Sequence, residues 1–283
     1  MPVLNVSAYK FVSISDIDTL RQQLRERANS LALKGTILLA PEGINFFIAG
    51  PEDPVRQFLA RLTEDPRFAG LESKLSWSDE QPFNRMLVKE KREIITMRRP
   101  DVDPSQTPAP RIAPETLKQW LDEGREVLLL DTRNGFEVSL GSFDGAIGLD
   151  IKSFSDFPAA TAHIDSQWRD RPVVTFCTGG IRCEKAAPLM IKEGFHEVYQ
   201  LDGGILKYFE QCGGAHFHGE CFVFDKRVAL GPDLQPTGTG QCYACQAVLT
   251  PEEQTSSDYA YGVCCPYCRN RKIGARHGAT LVA

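Results

Sequence analysis

The sequence predicts an α/β chain in three parts: an N-terminal α+β domain, a central domain on a parallel sheet, and a small C-terminal cysteine-rich module. Three observations carry this reading. Apolar, β-branched runs such as VLLLD (127–131) and VVTF (173–176) alternate with helix-like segments in the middle of the chain, the pattern of strands covered on both faces. The proline-dense stretch RRPDVDPSQTPAPRIAPE (98–115) can continue neither a helix nor a central strand, so it separates that region from what precedes it. Past Gly213 the helical signals fade, and two CxxC pairs appear.

The elements follow in order. LNVSAYKFVSI (4–14) reads as a strand and DIDTLRQQLRERANSLAL (16–33) as a helix with apolar residues at helical spacing. GTILLAPEGINFFIAG (35–50) is two apolar runs about a turn, with Gly43 as the turn residue. A second helix follows in EDPVRQFLARLTEDP (52–66), then strand candidates in KLSWSDE (74–80) and RMLVKEKREI (85–94). The order βαββαβ points to a ferredoxin-like sandwich over residues 1–99, with 100–112 as linker. From 113 to 212 the alternation resumes: PETLKQWLDEG as helix, EVLLLDTR and RPVVTFC as strands, EKAAPLMIKEG as helix and HEVYQL as strand. Ligands of such sheets sit beyond the carboxyl ends of the strands, where Asp131 and Cys177 both fall. Residues 213–283 form the third unit.

The segment VVTFCTGGIRCEKA (173–186) concentrates the chemistry. A strand delivers Cys177 into the turn Thr178-Gly179-Gly180-Ile181-Arg182, after which a helix begins. Backbone N–H groups of such a turn converge, and the positive end of the next helix lies behind them, so a thiolate is stabilised and an anionic group is accepted. A thiol in that setting titrates at roughly 3.5–7.5 rather than ~8.5, and the thiolate is the nucleophile. Arg182 adds a positive charge, expected at the rim. Cys183 reads as a small apolar residue in the first helical turn, with a resolving role toward Cys177 as the other reading. Glu42 and Asn45, flanking the turn in APEGIN, are expected to contact a ligand. Cys212 and Cys221 flank GGAHFHGE, whose histidines match no metal-binding spacing.

Charge and composition bound the rest. At 283 residues with net charge −5, the protein is not one that coats nucleic acid indiscriminately. Basic residues cluster at Arg85–Arg99, with six against two acidic, and at Arg269–Arg276, with four against none. Such clusters hold phosphates or simply face solvent. There is no apolar run of about 18 residues and no leader pattern, so the expectation is a cytoplasmic protein with no membrane association. Nine cysteines, an odd count, suit a reducing compartment. Cys242-x-x-Cys245 and Cys265-x-x-Cys268 stand about twenty residues apart, the spacing of a structural Zn²⁺ site, with Cys264 as the alternative third ligand. No flavin or nicotinamide motif is visible.

The segments VLLLDTRNGFEVSLGSFDGAIGLD (127–150), Cys177–Arg182 and GFHEVYQLDGGIL (194–206) resemble the successive signatures of a rhodanese domain. With GTILLAPEGIN (35–45), GECFVFDKR (219–227) and the cysteine-rich end, nearly the whole chain resembles the rhodanese-like tRNA uridine-34 hydroxylases. The resemblance implies hydroxylation of uridine C5 with O2 as co-substrate, Cys177 as the catalytic residue, and the anticodon stem-loop of tRNA as partner. It also implies that Asp131 and Arg133 brace the loops around the site. Two other readings stand beside it: a sulfurtransferase carrying a persulfide on Cys177, and a non-catalytic RNA or protein adaptor.

Overall fold

The structure is a computed structural model in which residues 2–270 are described. The chain begins β1 (Val3–Phe11), α1 (Ile17–Ser30), β2 (Lys34–Ala40), β3 (Gly43–Gly50), α2 (Glu52–Thr63), β4 (Ser73–Ser78) and β5 (Met86–Glu90). These strands form one sheet in the order β4-β1-β3-β2-β5. β1, β2, β3 and β4 pair antiparallel, as the ferredoxin-like reading requires, and β5 adds a fifth strand parallel to β2. Period-two apolar positions explain the assembly. Leu4, Val6 and Ala8 of β1, Ile37 and Leu39 of β2, and Ile44, Phe46 and Ile48 of β3 share one core with Leu20 and Leu24 of α1 and Val55, Phe58 and Leu62 of α2.

The proline-rich stretch expected as a linker is part of the fold. Met97, Val102 and Ala109 pack in one cluster with Leu128, Val173, Ala186 and Leu189. A strand β6 (Arg111–Ile112) then enters the central sheet. Prolines cost little here because the segment attaches by side chains and makes few ladder hydrogen bonds. These contacts tie residues 100–112 to the central sheet.

The central elements are α3 (Pro114–Asp122), β7 (Leu128–Asp131), α4 (Gly135–Val138), β8 (Gly141–Phe143), β9 (Ile147–Gly148), α5 (Phe157–Ala160), β10 (Val173–Phe176), α6 (Cys183–Lys192), β11 (Val198–Leu201) and α7 (Gly204–Cys212). The parallel sheet runs β6-β11-β10-β7-β9. Its two faces fill separate cores. Leu128, Leu130 and Val173 meet α6, whereas Leu129, Val174 and Phe176 meet α3 and α7 through Leu117, Ile205 and Tyr208.

Strand β12 (Phe217–Gly219) pairs with β8, and Phe217 and Cys221 belong to the central core. Beyond lie the short pairs β13 (Cys221–Phe222) with β14 (Ala229–Leu230), and β15 (Gly240–Gln241) with β16 (Val248–Leu249), then α8 (Pro251–Gln254). Apart from Leu249, the buried members of the small core there are Cys242, Cys265 and Cys268. Among the described residues, no helix is long and apolar enough to cross a membrane.

Candidate active site and metal centre

Cys177 follows β10 directly, and its side chain is fully buried. Four carbonyls of the loop are taken up by partners other than the sulfur. Those of Cys177 and Thr178 accept from the first N–H groups of α7, Ile205 at 2.9 Å and Leu206 at 3.1 Å. That of Gly179 accepts from Lys74 Nζ at 2.7 Å, and that of Gly180 from the N–H of Cys183 at 3.0 Å. With these carbonyls engaged elsewhere, Gly180 N–H donates to Cys177 Sγ at 3.1 Å. Two glycines make this possible. Gly180 has φ +98°, and a Cβ on Gly204 would lie 2.5 Å from the Cys177 carbonyl oxygen.

Burial alone pushes the Cys177 thiol up. A hydrogen bond from the Cys183 thiol, the Arg182 guanidinium, and the amides of Arg182 and Gly180 outweigh it and bring the thiol down to about 5. Cys183 moves the opposite way, raised by burial and by the adjacent thiolate. Cys177 is thus the more acidic of the two thiols.

The structure revises the expected position of Arg182. The side chain is buried rather than at the rim, and its two terminal nitrogens donate to Glu137 at 2.6 and 2.7 Å. Glu137 is fully buried and also accepts from Asn134 N–H at 3.1 Å, so the cap of α4 and the ion pair use one carboxylate. Asp131 and Arg133 form a second buried pair at 2.6 Å, with Ser142 Oγ on Asp131 at 2.8 Å and the Gly141 carbonyl on Arg133 at 2.6 Å. This fastens β7 to β8 beneath the loop. Thr178 Oγ1 donates to the Phe222 carbonyl at 3.2 Å, which brings β13 against the site, while Ile181 is half-buried.

Glu42 and Asn45 are not brought to Cys177. Glu42 accepts from Ile94 N–H at 2.7 Å and pairs with Lys185 Nζ at 2.8 Å, and Asn45 donates to the Ile94 carbonyl at 3.2 Å. Lys185, almost fully buried on α6, also meets Glu93 at 2.7 Å and the Ile95 carbonyl at 3.0 Å. The junction therefore clamps the chain after β5 onto α6. It borders a cavity of about 440 Å³ lined by Ser13, Glu42, Arg92, Arg99 and Lys185 among others.

Lys74 and Tyr9, which sequence reasoning passed over, come from the N-terminal sheet. Lys74 is half-buried against the loop, with its ammonium pKa lowered by desolvation, and Tyr9 donates to Glu184 at 3.1 Å beside Gly180. Nothing in the pattern KLSWS marks Lys74, because its partner lies 105 residues away.

The basic runs are divided by their partners. Arg99 is tied to Asp101 at 2.8 Å and to Glu193 at 3.0 Å. Lys89, Lys91 and Arg92 have no ion-pair partner among the described residues, and with Arg21 and Pro41 they line an open cavity of about 640 Å³. Arg271, Lys272 and Arg276 lie outside the described residues.

The sulfurs of Cys242, Cys245, Cys265 and Cys268 all lie within 4.8 Å of one another, an arrangement that can hold a metal ion. Cys264 is not in the group, and its thiol points to the Asp258 carbonyl instead. His216 and His218 face different carboxylates, Asp122 and Asp144.

Residues 3–94 match the family model described as a UPF0176 acylphosphatase-like domain, and residues 113–211 match that of a rhodanese-like domain. Three curated proteins, each named tRNA uridine(34) hydroxylase, are similar over almost their whole length. That of Cupriavidus taiwanensis is 55% identical over 273 residues, covering 95% of this chain and 97% of the relative. That of Cupriavidus necator is 54% identical over 277 residues, covering 96% and 98%. That of Ralstonia nicotianae is 52% identical over 280 residues, covering 97% and 99%.

Proposed function

The chain belongs to the tRNA uridine(34) hydroxylase family, and from that premise we propose that it hydroxylates C5 of the wobble uridine of tRNA through Cys177, with O2 as co-substrate. The observation that carries the role of Cys177 is its place: buried at the end of β10, its sulfur accepts from Gly180 N–H, a setting that brings the thiol down to about 5. A thiolate is present at neutral pH to add to C6 of the uracil ring, which gives C5 the enolate character needed to react with oxygen. The loop amides of Thr178, Gly179, Gly180, Ile181 and Arg182 receive the charge that develops on the ring. Asp131 and Arg133 support the loop from below, and Arg182 does so through Glu137. Glu42 and Asn45 contribute by holding the segment that meets α6. Anticodon bases are single-stranded and can be splayed into such a bowl at modest cost. The free cations Lys89, Lys91 and Arg92 supply a phosphate track.

Zn²⁺ is the metal that fits the four cysteines. Thiolates at about 2.3 Å from a tetrahedral ion stand about 3.8 Å apart, against 3.8 Å for Cys242 and Cys268, 3.6 Å for Cys245 and Cys265, and 3.7 Å for Cys265 and Cys268. Four protein ligands leave no open position, so the ion's part is structural. A cytoplasmic location follows from a tRNA substrate and from thiols that must stay reduced.

Mass spectrometry of nucleosides from tRNA incubated with the protein tests the function. The wild-type chain should yield 5-hydroxyuridine in air and none without oxygen, and Cys177→Ser should yield none, because the hydroxyl does not ionise near neutral pH. Product that survives oxygen exclusion would refute O2 as co-substrate, and 2-thiouridine in its place would favour the sulfurtransferase reading instead.

A further inference from the structure

Hydroxylation by O2 places one oxygen atom on the substrate, and two electrons must reduce the other to water. Resting on the reading above, we propose that Cys177 and Cys183 form a dithiol that supplies those two electrons and leaves the reaction as a disulfide.

Cys183 is the first residue of α6, and its N–H is tied to Gly180 at 3.0 Å by the same loop that holds Cys177. Both side chains are fully buried. The Cys183 sulfur lies 3.8 Å from Thr132 Oγ1, and the two thiols shift one another's acidity in opposite directions. A position that required only a small apolar group has no need of a hydroxyl against its sulfur. The pair is also unequal. Cys177 is ionised and nucleophilic, while Cys183 keeps a proton to give. Sequence alone favours a bland packing role for Cys183, and the contacts of its sulfur overturn that.

The chemistry balances as follows. The Cys177 thiolate forms a bond to C6, and C5 takes up O2 and a proton to become a hydroperoxide. The Cys183 sulfur attacks the distal oxygen and breaks the O–O bond. This leaves a hydroxyl on C5, protonated by the Cys183 thiol hydrogen, and a sulfenic acid on Cys183. Loss of the C5 proton expels Cys177 from C6 and releases 5-hydroxyuridine. The freed Cys177 thiolate then displaces hydroxide from Cys183, forming the disulfide and, with the released proton, water. The sum is uridine, O2 and two thiols to hydroxyuridine, water and one disulfide. A thiol reductant, small molecule or protein dithiol, restores the pair by exchange.

The test is a single turnover with full-length protein, reduced and then desalted, mixed with tRNA in air, quenched with iodoacetamide and mapped by mass spectrometry. About one hydroxyuridine per chain should appear together with an equal amount of Cys177–Cys183 disulfide, and added dithiothreitol should restart turnover. Cys183→Ser keeps a hydroxyl donor to Cys177, so the pH midpoint of Cys177 alkylation should hold, while single-turnover product falls by about tenfold or more. Cys183→Ala, compared by circular dichroism, separates this loss from unfolding. Hydroxyuridine formed with both cysteines still alkylated, or wild-type yield from Cys183→Ser, would overturn the dithiol alone. No hydroxyuridine from wild-type protein in air with excess thiol would overturn the function itself.

Discussion

Replacing Glu137 with Gln separates the stability of the catalytic loop from the acidity of its thiol. Glu137 is fully buried and accepts two charge-assisted hydrogen bonds from Arg182, itself only 5% exposed. Neutralising the carboxylate strands a guanidinium in a site that water does not reach, which costs about 3–5 kcal/mol. That is a large part of the ~5–15 kcal/mol that holds a domain folded. Thiol acidity should not suffer, because Arg182 keeps its charge and loses the anion that offset it. The midpoint of Cys177 alkylation in whatever protein remains folded should stay near 5 or fall. Adding Arg182→Met removes the stranded charge, and most of the stability should return, since apolar groups of similar volume substitute well for a buried pair. The thiolate then loses its nearest cation, and the midpoint should climb by about one unit or more, each unit standing for about 1.4 kcal/mol. Urea unfolding gives the stability, and the pH profile of iodoacetamide labelling at Cys177 gives the acidity. A double variant as unstable as the single one would refute the account of the ion pair. A double variant whose midpoint remains near 5 would show that Cys183 and the amides hold the thiolate without Arg182.

Three other outcomes follow from the same geometry. Lys185→Met leaves Glu42 and Glu93 facing each other without their shared cation, and should destabilise the chain by about 3–5 kcal/mol in urea unfolding, with the chain after β5 becoming sensitive to protease. Neutralising Lys89, Lys91 and Arg92 should weaken tRNA binding and flatten the log-log salt dependence by about 0.7–0.9 per lost phosphate contact, whereas Arg99→Ala, which breaks contacts to Asp101 and Glu193, should leave the slope unchanged. Cys245→Ser should release the single metal ion seen by elemental analysis and loosen the module after Leu230 while the central sheet stays folded, because no cysteine of the cluster belongs to the cores that cover that sheet.

The sequence by itself determined the local chemistry. Apolar patterning marked both sheets, alternating in β1 and continuous in the central strands, because the burial of a strand's faces is written in its own residues. Two glycines after a cysteine marked the loop, since only glycine tolerates the backbone of Gly180. The CxxC spacing named the four sulfurs that converge, all but the choice between Cys264 and Cys265. Tertiary structure decided what each charge does. Arg182, Glu42 and Asn45 looked free in the sequence because their partners lie between 45 and 143 residues away: Glu137, Lys185 and Ile94. The same holds for Lys74, whose place against Gly179 depends on the N-terminal sheet packing over a loop it does not neighbour in the chain. The proline-rich stretch went unrecognised as structure for a related reason. Its bonds to the core are apolar contacts of Val102 and Ala109, which leave no periodic trace. Covalent neighbours set conformation, and so pattern shows it. Electrostatic pairing and interdomain burial are set by three-dimensional proximity, which no local window contains.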